Sequence, residues 1–126
     1  MYIKHADDVV AKSVDMDGAE GVTCRVLIGR EQGAACFAMR DFTVVPGGYT
    51  PLHQHNYEHE VLVLSGKGLV RGGDTYRSID TGDVVFLAAN ELHQFQNVGD
   101  QPLRFICLVP VDFDCGDGMC MPTPGT

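Results

Sequence analysis

Gly47-Gly48-Tyr49-Thr50-Pro51-Leu52-His53-Gln54-His55-Asn56-Tyr57-Glu58-His59-Glu60 is the stretch whose reading decides the fold. It places three imidazoles at odd positions within seven residues. In an extended chain side chains alternate faces, so His53, His55 and His59 point the same way if no bulge intervenes. The segment lies between two strand-like runs. Ala35 to Val45 comes before it and closes on Pro46-Gly47-Gly48, which reads as a turn. His59 to Leu64 follows and closes on Ser65-Gly66-Lys67-Gly68.

The same rhythm continues outward in both directions. Val22 to Ile28 is a β-branched run between Gly21 and Gly29. Leu69 to Arg71 meets Gly72-Gly73-Asp74, a hairpin signal, and Thr75 to Ile79 leads into Asp80-Thr81-Gly82-Asp83. Val84 to Leu87, His93 to Val98 and Leu103 to Val109 complete the set, and only Asp7 to Val14 hints at a helical turn. Short strands between regular turn signals predict an all-β sandwich or barrel. With 126 residues the chain supports one domain, expected over residues 1–110, with an irregular tail over 111–126. That tail carries Cys115 and Cys120, whose spacing is too loose for a zinc ribbon and fits two free thiols.

Composition narrows the function. The formal net charge is −8 with scattered acids, which argues against nucleic acid and anionic membrane surfaces as partners. The apolar runs are strand-sized and too short to span a bilayer. The acidic N-terminus lacks a signal-peptide pattern, and five irregularly spaced cysteines suit reduced thiols, so a cytoplasmic protein is expected.

Imidazole suits zinc, copper, iron and nickel, and manganese tolerates it. The three histidines, joined by His93 at the start of a later strand, therefore predict a site for one divalent transition metal whose identity the sequence leaves open. His5 stands apart and reads as a surface residue.

Two motifs now resemble a known family, the cupins. Gly47, five residues, His53-Gln54-His55 and onward to Gly66 resembles the first cupin motif. Gly82, five residues, Ala88-Ala89-Asn90-Glu91-Leu92-His93, three residues, Asn97 resembles the second. Arg25 to Gly29 and Leu108-Val109-Pro110 are similar to small one-domain members. The resemblance implies a double-stranded β-helix, or jelly-roll barrel, and commonly a homodimer. Two departures stand out. Ala88 and Asn90 replace the usual proline and glycine, and His59 stands where the first motif usually has glutamate. Glu60, one position on, is the alternative ligand, but alternation points it away from the other three. A subgroup of small cupins uses four histidines at this spacing, so His53, His55, His59 and His93 form the preferred set.

Four neutral imidazoles would leave the full charge of a divalent ion in place and two coordination positions free. That suits a dioxygenase-like oxidoreductase acting on a small molecule. The alternatives are a non-catalytic metal or small-ligand module, and an isomerase or lyase acting on a hydroxy-carbonyl compound. Alternation makes Phe95, Phe105 and Cys107 candidate pocket walls. Along the run from Ala35, either the set with Phe37 and Met39 or the set with Ala38 and Arg40 lines the barrel, and Arg40 is a candidate anion clamp. No general base stands out beside the histidines, with Tyr57 and Glu58 the nearest candidates.

Overall fold

A computed structural model describes residues 1–112; Cys115, Cys120 and the rest of the expected tail lie outside that range. The chain forms β1 (Lys12–Ser13), β2 (Glu20–Ile28), β3 (Phe37–Tyr49), β4 (His59–Ser65), β5 (Lys67–Gly72), β6 (Thr75–Asp80), β7 (Val84–Leu87), β8 (His93–Gln96) and β9 (Leu103–Pro110). Two 3-10 turns, Ala6–Asp8 and Arg30–Gln32, are the helical elements among the described residues. The expected helical turn near the N-terminus is thus only three residues long. The strands pair antiparallel in the order β6-β5-β8-β3-β9-β4-β7, with β2 on β3 and β1 on β2, so one sheet curls on itself. This is the all-β jelly-roll expected from the sequence.

Strand alternation decides what faces the interior. Val61 and Val63 on β4, and Leu103, Phe105, Cys107 and Val109 on β9, are buried. Their neighbours Leu62 and Leu64 are substantially exposed. On β3 the even set turns inward, with Ala38 and Val44 buried. Val44, Val63 and Leu103 are among the most deeply enclosed side chains and anchor the core.

Pro46-Gly47-Gly48 is not a turn. β3 runs through it, and the β2–β3 register jumps from Val22↔Val44 to Glu20↔Tyr49. The extra residues form an irregularity past which β3 no longer pairs with β9 but reaches β8, where Tyr49 pairs with Gln96 while still opposite Glu20 of β2. Gly47 takes φ +82, and a Cβ on Gly48 would lie 2.5 Å from the Glu20 carbonyl oxygen. Glycine is needed at this corner because the backbones pass too close for a side chain.

Asn97, the last residue of the second motif, holds the corner from inside. Its Nδ2 donates to the Val44 and Gln101 carbonyls at 2.9 and 2.8 Å, and its Oδ1 accepts from Gly99 N–H at 2.9 Å. On the outer face of β3, Asp41 is 1% exposed and takes a forked contact from Arg104, at 3.0 and 3.1 Å to Nε and 2.7 Å to Nη2. The charge partner satisfies a carboxylate that burial alone would strongly disfavour.

Candidate metal centre

The two motifs meet through their backbones. His53 N–H donates to the His93 carbonyl at 3.2 Å, and His93 N–H donates to the His53 carbonyl at 2.9 Å. These two imidazoles are thus direct cross-strand neighbours although forty residues separate them in sequence. The segment between His53 and β4 is not a regular strand, yet the His55 carbonyl is fixed by Asn90 N–H. Asn90 sits at φ +67, among the described residues the one non-glycine with positive φ. The replacement of glycine by asparagine keeps the left-handed turn, because a short amide side chain tolerates that conformation.

The rings converge on one cavity. His53 Nε2 and His55 Nε2 are 3.1 Å apart, and the ligand atoms of His53, His55 and His93 lie within 4.8 Å of one another. Two nitrogens bound to one ion at about 2.1 Å each, at right angles, would be about 3.0 Å apart. His59 joins this group from β4, its ring centroid 4.6 Å from His93 and 5.4 Å from His55. Its ligand atom lies outside the tightest cluster. His59 Nε2 is nevertheless buried with no hydrogen-bond partner. A buried nitrogen left without a partner is costly unless its lone pair is used, so the donor set fits a metal ion.

Two of the other ring nitrogens are already engaged. His93 Nδ1 donates to the Glu91 carbonyl at 2.9 Å, which leaves Nε2 as the lone-pair nitrogen. His59 Nδ1 lies 3.3 Å from Cys107 Sγ. His55 stacks on Tyr57, centroids 4.7 Å apart and planes 3° from parallel, and Tyr57 is itself buried. Burial keeps all four imidazoles neutral, with mutual repulsion and the Arg40 charge adding to it. His53 and His55 are pulled down to about 4 and His59 to about 2, and His93 is lowered despite the opposing pull of Glu91. Neutral imidazole is the form that binds metal.

The cavity holds about 430 Å³ and is walled by Arg40, Phe42, Phe95, Phe105 and Cys107 beside the histidines. Phe105 stacks with Phe95 at 4.6 Å and with Phe42 at 5.3 Å. Phe95, Phe105 and Cys107 thus line the cavity, on the face alternation gave them, and Arg40, whose face alternation left open, lines it too. Met39 and Glu60 do not. Both lie on the outer face of the sheet, along a groove with Leu62, Phe86 and Ile106. The reason is strand register: Glu60 is flanked by inward His59 and Val61, and Met39 by inward Ala38 and Arg40, so neither reaches the histidines. His5 is remote, capping the first 3-10 turn through Asp7 N–H. Phe42 and the Glu91 carbonyl escaped the sequence reading. Phe42 shares the parity of Arg40 and was recoverable once that face was known. A backbone carbonyl leaves no signature in residue type.

A family model described as "Cupin domain" matches residues 40–109, more than half of the chain. The chain belongs to the cupin family. The polyketide cyclase RemF from Streptomyces resistomycificus superposes with TM-score 0.83 at 34% identity, over 88% of this chain and 80% of that one. The 1-methylthio-D-xylulose 5-phosphate methylsulfurylase of Rhodospirillum rubrum is 33% identical over 76 residues, 60% of this chain and 49% of that protein. The cupin described here therefore spans about half of that relative's length. The L-ectoine synthase of Bordetella petrii is 27% identical over 109 residues, covering 86% and 80%.

Proposed function

We propose that this cupin is a mononuclear metal enzyme in which His53, His55, His59 and His93 hold one divalent first-row ion. The observation that carries the reading is His59 Nε2, buried without a partner beside a group of three imidazoles already within ligand distance of one another. Such an ion supplies Lewis-acid polarisation of an oxygen on a bound small molecule.

The chain's own residues do the rest. Glu91 and Cys107 fix two imidazole orientations. Phe42, Phe95 and Phe105 exclude bulk water and offer flat apolar surface to the substrate. No carboxylate of the described residues lines the cavity, so those residues supply no conventional carboxylate acid–base pair there. Chemistry driven by polarisation, with a water molecule admitted beside the substrate carrying the proton, fits this wall best: cyclisation, isomerisation or elimination of an enolisable hydroxy-carbonyl compound. The likeness to a polyketide cyclase supports that direction. A dioxygenase-like oxidoreductase is the second reading. It draws on the same lack of an acid–base pair, which electron transfer from a redox-active ion does not need.

The two readings separate in heavy water. Metal-loaded protein is incubated with a panel of hydroxy-carbonyl compounds and followed by NMR, with and without oxygen. The Lewis-acid reading expects deuterium at carbon next to the carbonyl under strict anaerobiosis. Turnover that requires dioxygen, followed with an oxygen electrode, assigns the oxidoreductase instead.

A homodimer in a reducing cytoplasm completes the proposal. Leu62, Val84 and Phe86, 43, 79 and 60% exposed, form an apolar strip on the outer face of β4 and β7 that suits a second copy. Sedimentation of the Phe86→Lys variant tests it, with monomer expected and an unchanged dimer contradicting that surface. Among the described residues, no helix is long and apolar enough to cross a membrane.

A further inference from the structure

We infer that Met16 is the gate of this cavity: the loop of the β1–β2 hairpin, residues 14–19, straps its mouth, and Met16 selects by size which molecules reach the histidines. This rests on the reading of the cavity as the functional site, and adds to it a residue that determines specificity.

The strap begins in a sequence alternation. Val14-Asp15-Met16-Asp17-Gly18 places apolar residues between acids. Val14 and Met16 line the cavity, while Asp15 and Asp17 are exposed. In extended chain such alternation turns one face inward and leaves the charged face in water. Little ties the strap to β2. Two residue pairs lead into it, Lys12↔Cys24 and Ser13↔Thr23, followed by Val14 N–H donating to the Val22 carbonyl at 2.9 Å. The loop then turns back, with Ala19 N–H donating to the Met16 carbonyl at 3.0 Å and Gly18 at φ +84.

At that turn the strap reaches another part of the rim. A Cβ added to Gly18 would stand 3.9 Å from the Pro51 Cα, and Pro51 lines the cavity. The Pro51 segment is held firmly. Thr50 N–H donates to the Phe95 carbonyl at 2.9 Å, and His53 is bonded to His93 in both directions. The strap therefore lies between a two-residue strand and a fixed rim. Segments held by few pairings open at lower cost than the core.

Met16 stands where the cavity meets solvent. Of the residues that line the cavity it alone is exposed, at 52%. Val14, two residues earlier, packs against the core and anchors the strap from inside. Methionine suits a gate, because its unbranched thioether has three rotatable bonds and adapts to an irregular apolar gap. Behind it stand Phe42, Phe95 and Phe105, so an entering molecule passes one flexible apolar side chain into an apolar chamber.

The Cys107 thiol reports on entry. It lines the cavity and is 3% exposed, whereas Cys36 is exposed and does not line it. The full-length protein as purified is treated with N-ethylmaleimide or with the much larger pyrene maleimide. Peptide mass mapping gives the rate at Cys107 relative to Cys36. Met16→Ala should speed pyrene maleimide about 10-fold, a barrier lower by about 1.4 kcal/mol, and N-ethylmaleimide by less than about 3-fold. Met16→Trp should slow the large reagent by a similar factor. Gly82→Ala, an exposed turn position outside the cavity, should leave the ratio unchanged, which controls for global unfolding. Rates at Cys107 that ignore both Met16 changes overturn the proposal. So does equal acceleration of the two reagents in Met16→Ala, or the same acceleration in Gly82→Ala. Metal content of the same samples is a separate readout. Protein that binds no metal defeats the four-histidine centre, and the order of these rates still decides the gate.

Discussion

Replacing Asp41 by asparagine tests how the floor of the cavity is held. The carboxylate has no side-chain exposure, and it accepts from Arg104 Nε and Nη2 while Arg25 Nη1 stands 4.0 Å away. Asparagine keeps one acceptor oxygen and turns an NH₂ group toward a guanidinium. Breaking a buried pair from one side costs about 3–5 kcal/mol. Arg104 keeps 30% side-chain exposure and can be hydrated, which lowers the expected loss to about 2–4 kcal/mol. A chain of this length has a total stability of roughly 6–19 kcal/mol, so the loss is a sizeable share. The expected fall in melting temperature is roughly 10–20 °C. Urea unfolding in the presence of chelator, with the midpoint lowered and the slope unchanged, measures it free of any metal contribution. Removing both partners, as Asp41→Leu with Arg104→Met, should recover much of the loss, because no lone buried charge remains. A loss below about 1 kcal/mol for Asp41→Asn, the range of an exposed pair, would refute the reasoning.

Three further outcomes are expected. Gly66→Ala should cost more than about 2 kcal/mol, because the added Cβ would stand 2.4 Å from the Pro102 carbonyl oxygen at φ +90. Gly82→Ala shares the positive φ but meets nothing within 4 Å, so its cost should stay near 1–2 kcal/mol, roughly the backbone strain alone, and equal urea midpoints for the two would contradict this. Cys107→Ala removes the partner of His59 Nδ1 and should weaken metal affinity by about 10-fold or more in competition with a chromophoric chelator; unchanged affinity would show that the thiol does not orient the ring. Metal-free protein should lose stability as pH falls from about 6.5 toward 4. His53 and His55 titrate near 4 when folded and near 6.5 when unfolded, so in that window the unfolded chain binds more protons and acid favours it. A midpoint that rises as the solution is acidified would contradict the assignment of buried neutral rings.

Much of this was legible in the sequence because β-structure writes its two faces in alternate residues. His53, His55, His59, Phe95, Phe105 and Cys107 came from parity and His93 from its place at the start of a later strand, and all line the one cavity. Parity also set Glu60 apart from His59, as the outer groove bears out. It could not choose between the Met39 and Arg40 faces of β3. Both sets contain large side chains, and the acid Asp41 is buried on the outer face by a partner 63 residues away. Pro46-Gly47-Gly48 read as a turn because those residues usually make one. Here the same conformational freedom bends a strand from one part of the sheet to another, which depends on β8 and Asn97 far along the chain. The Asn90 turn shows the converse. The residue departs from the family pattern while the backbone keeps its shape.

Metal content of the purified protein, measured by elemental analysis beside its His59→Ala variant, tests the central claim most directly. About one equivalent of a first-row ion in wild type, with most of it lost in the variant, is the predicted result. Full metal content in His59→Ala, or none in wild type after exposure to zinc, iron, copper, nickel and manganese, would contradict the four-histidine centre.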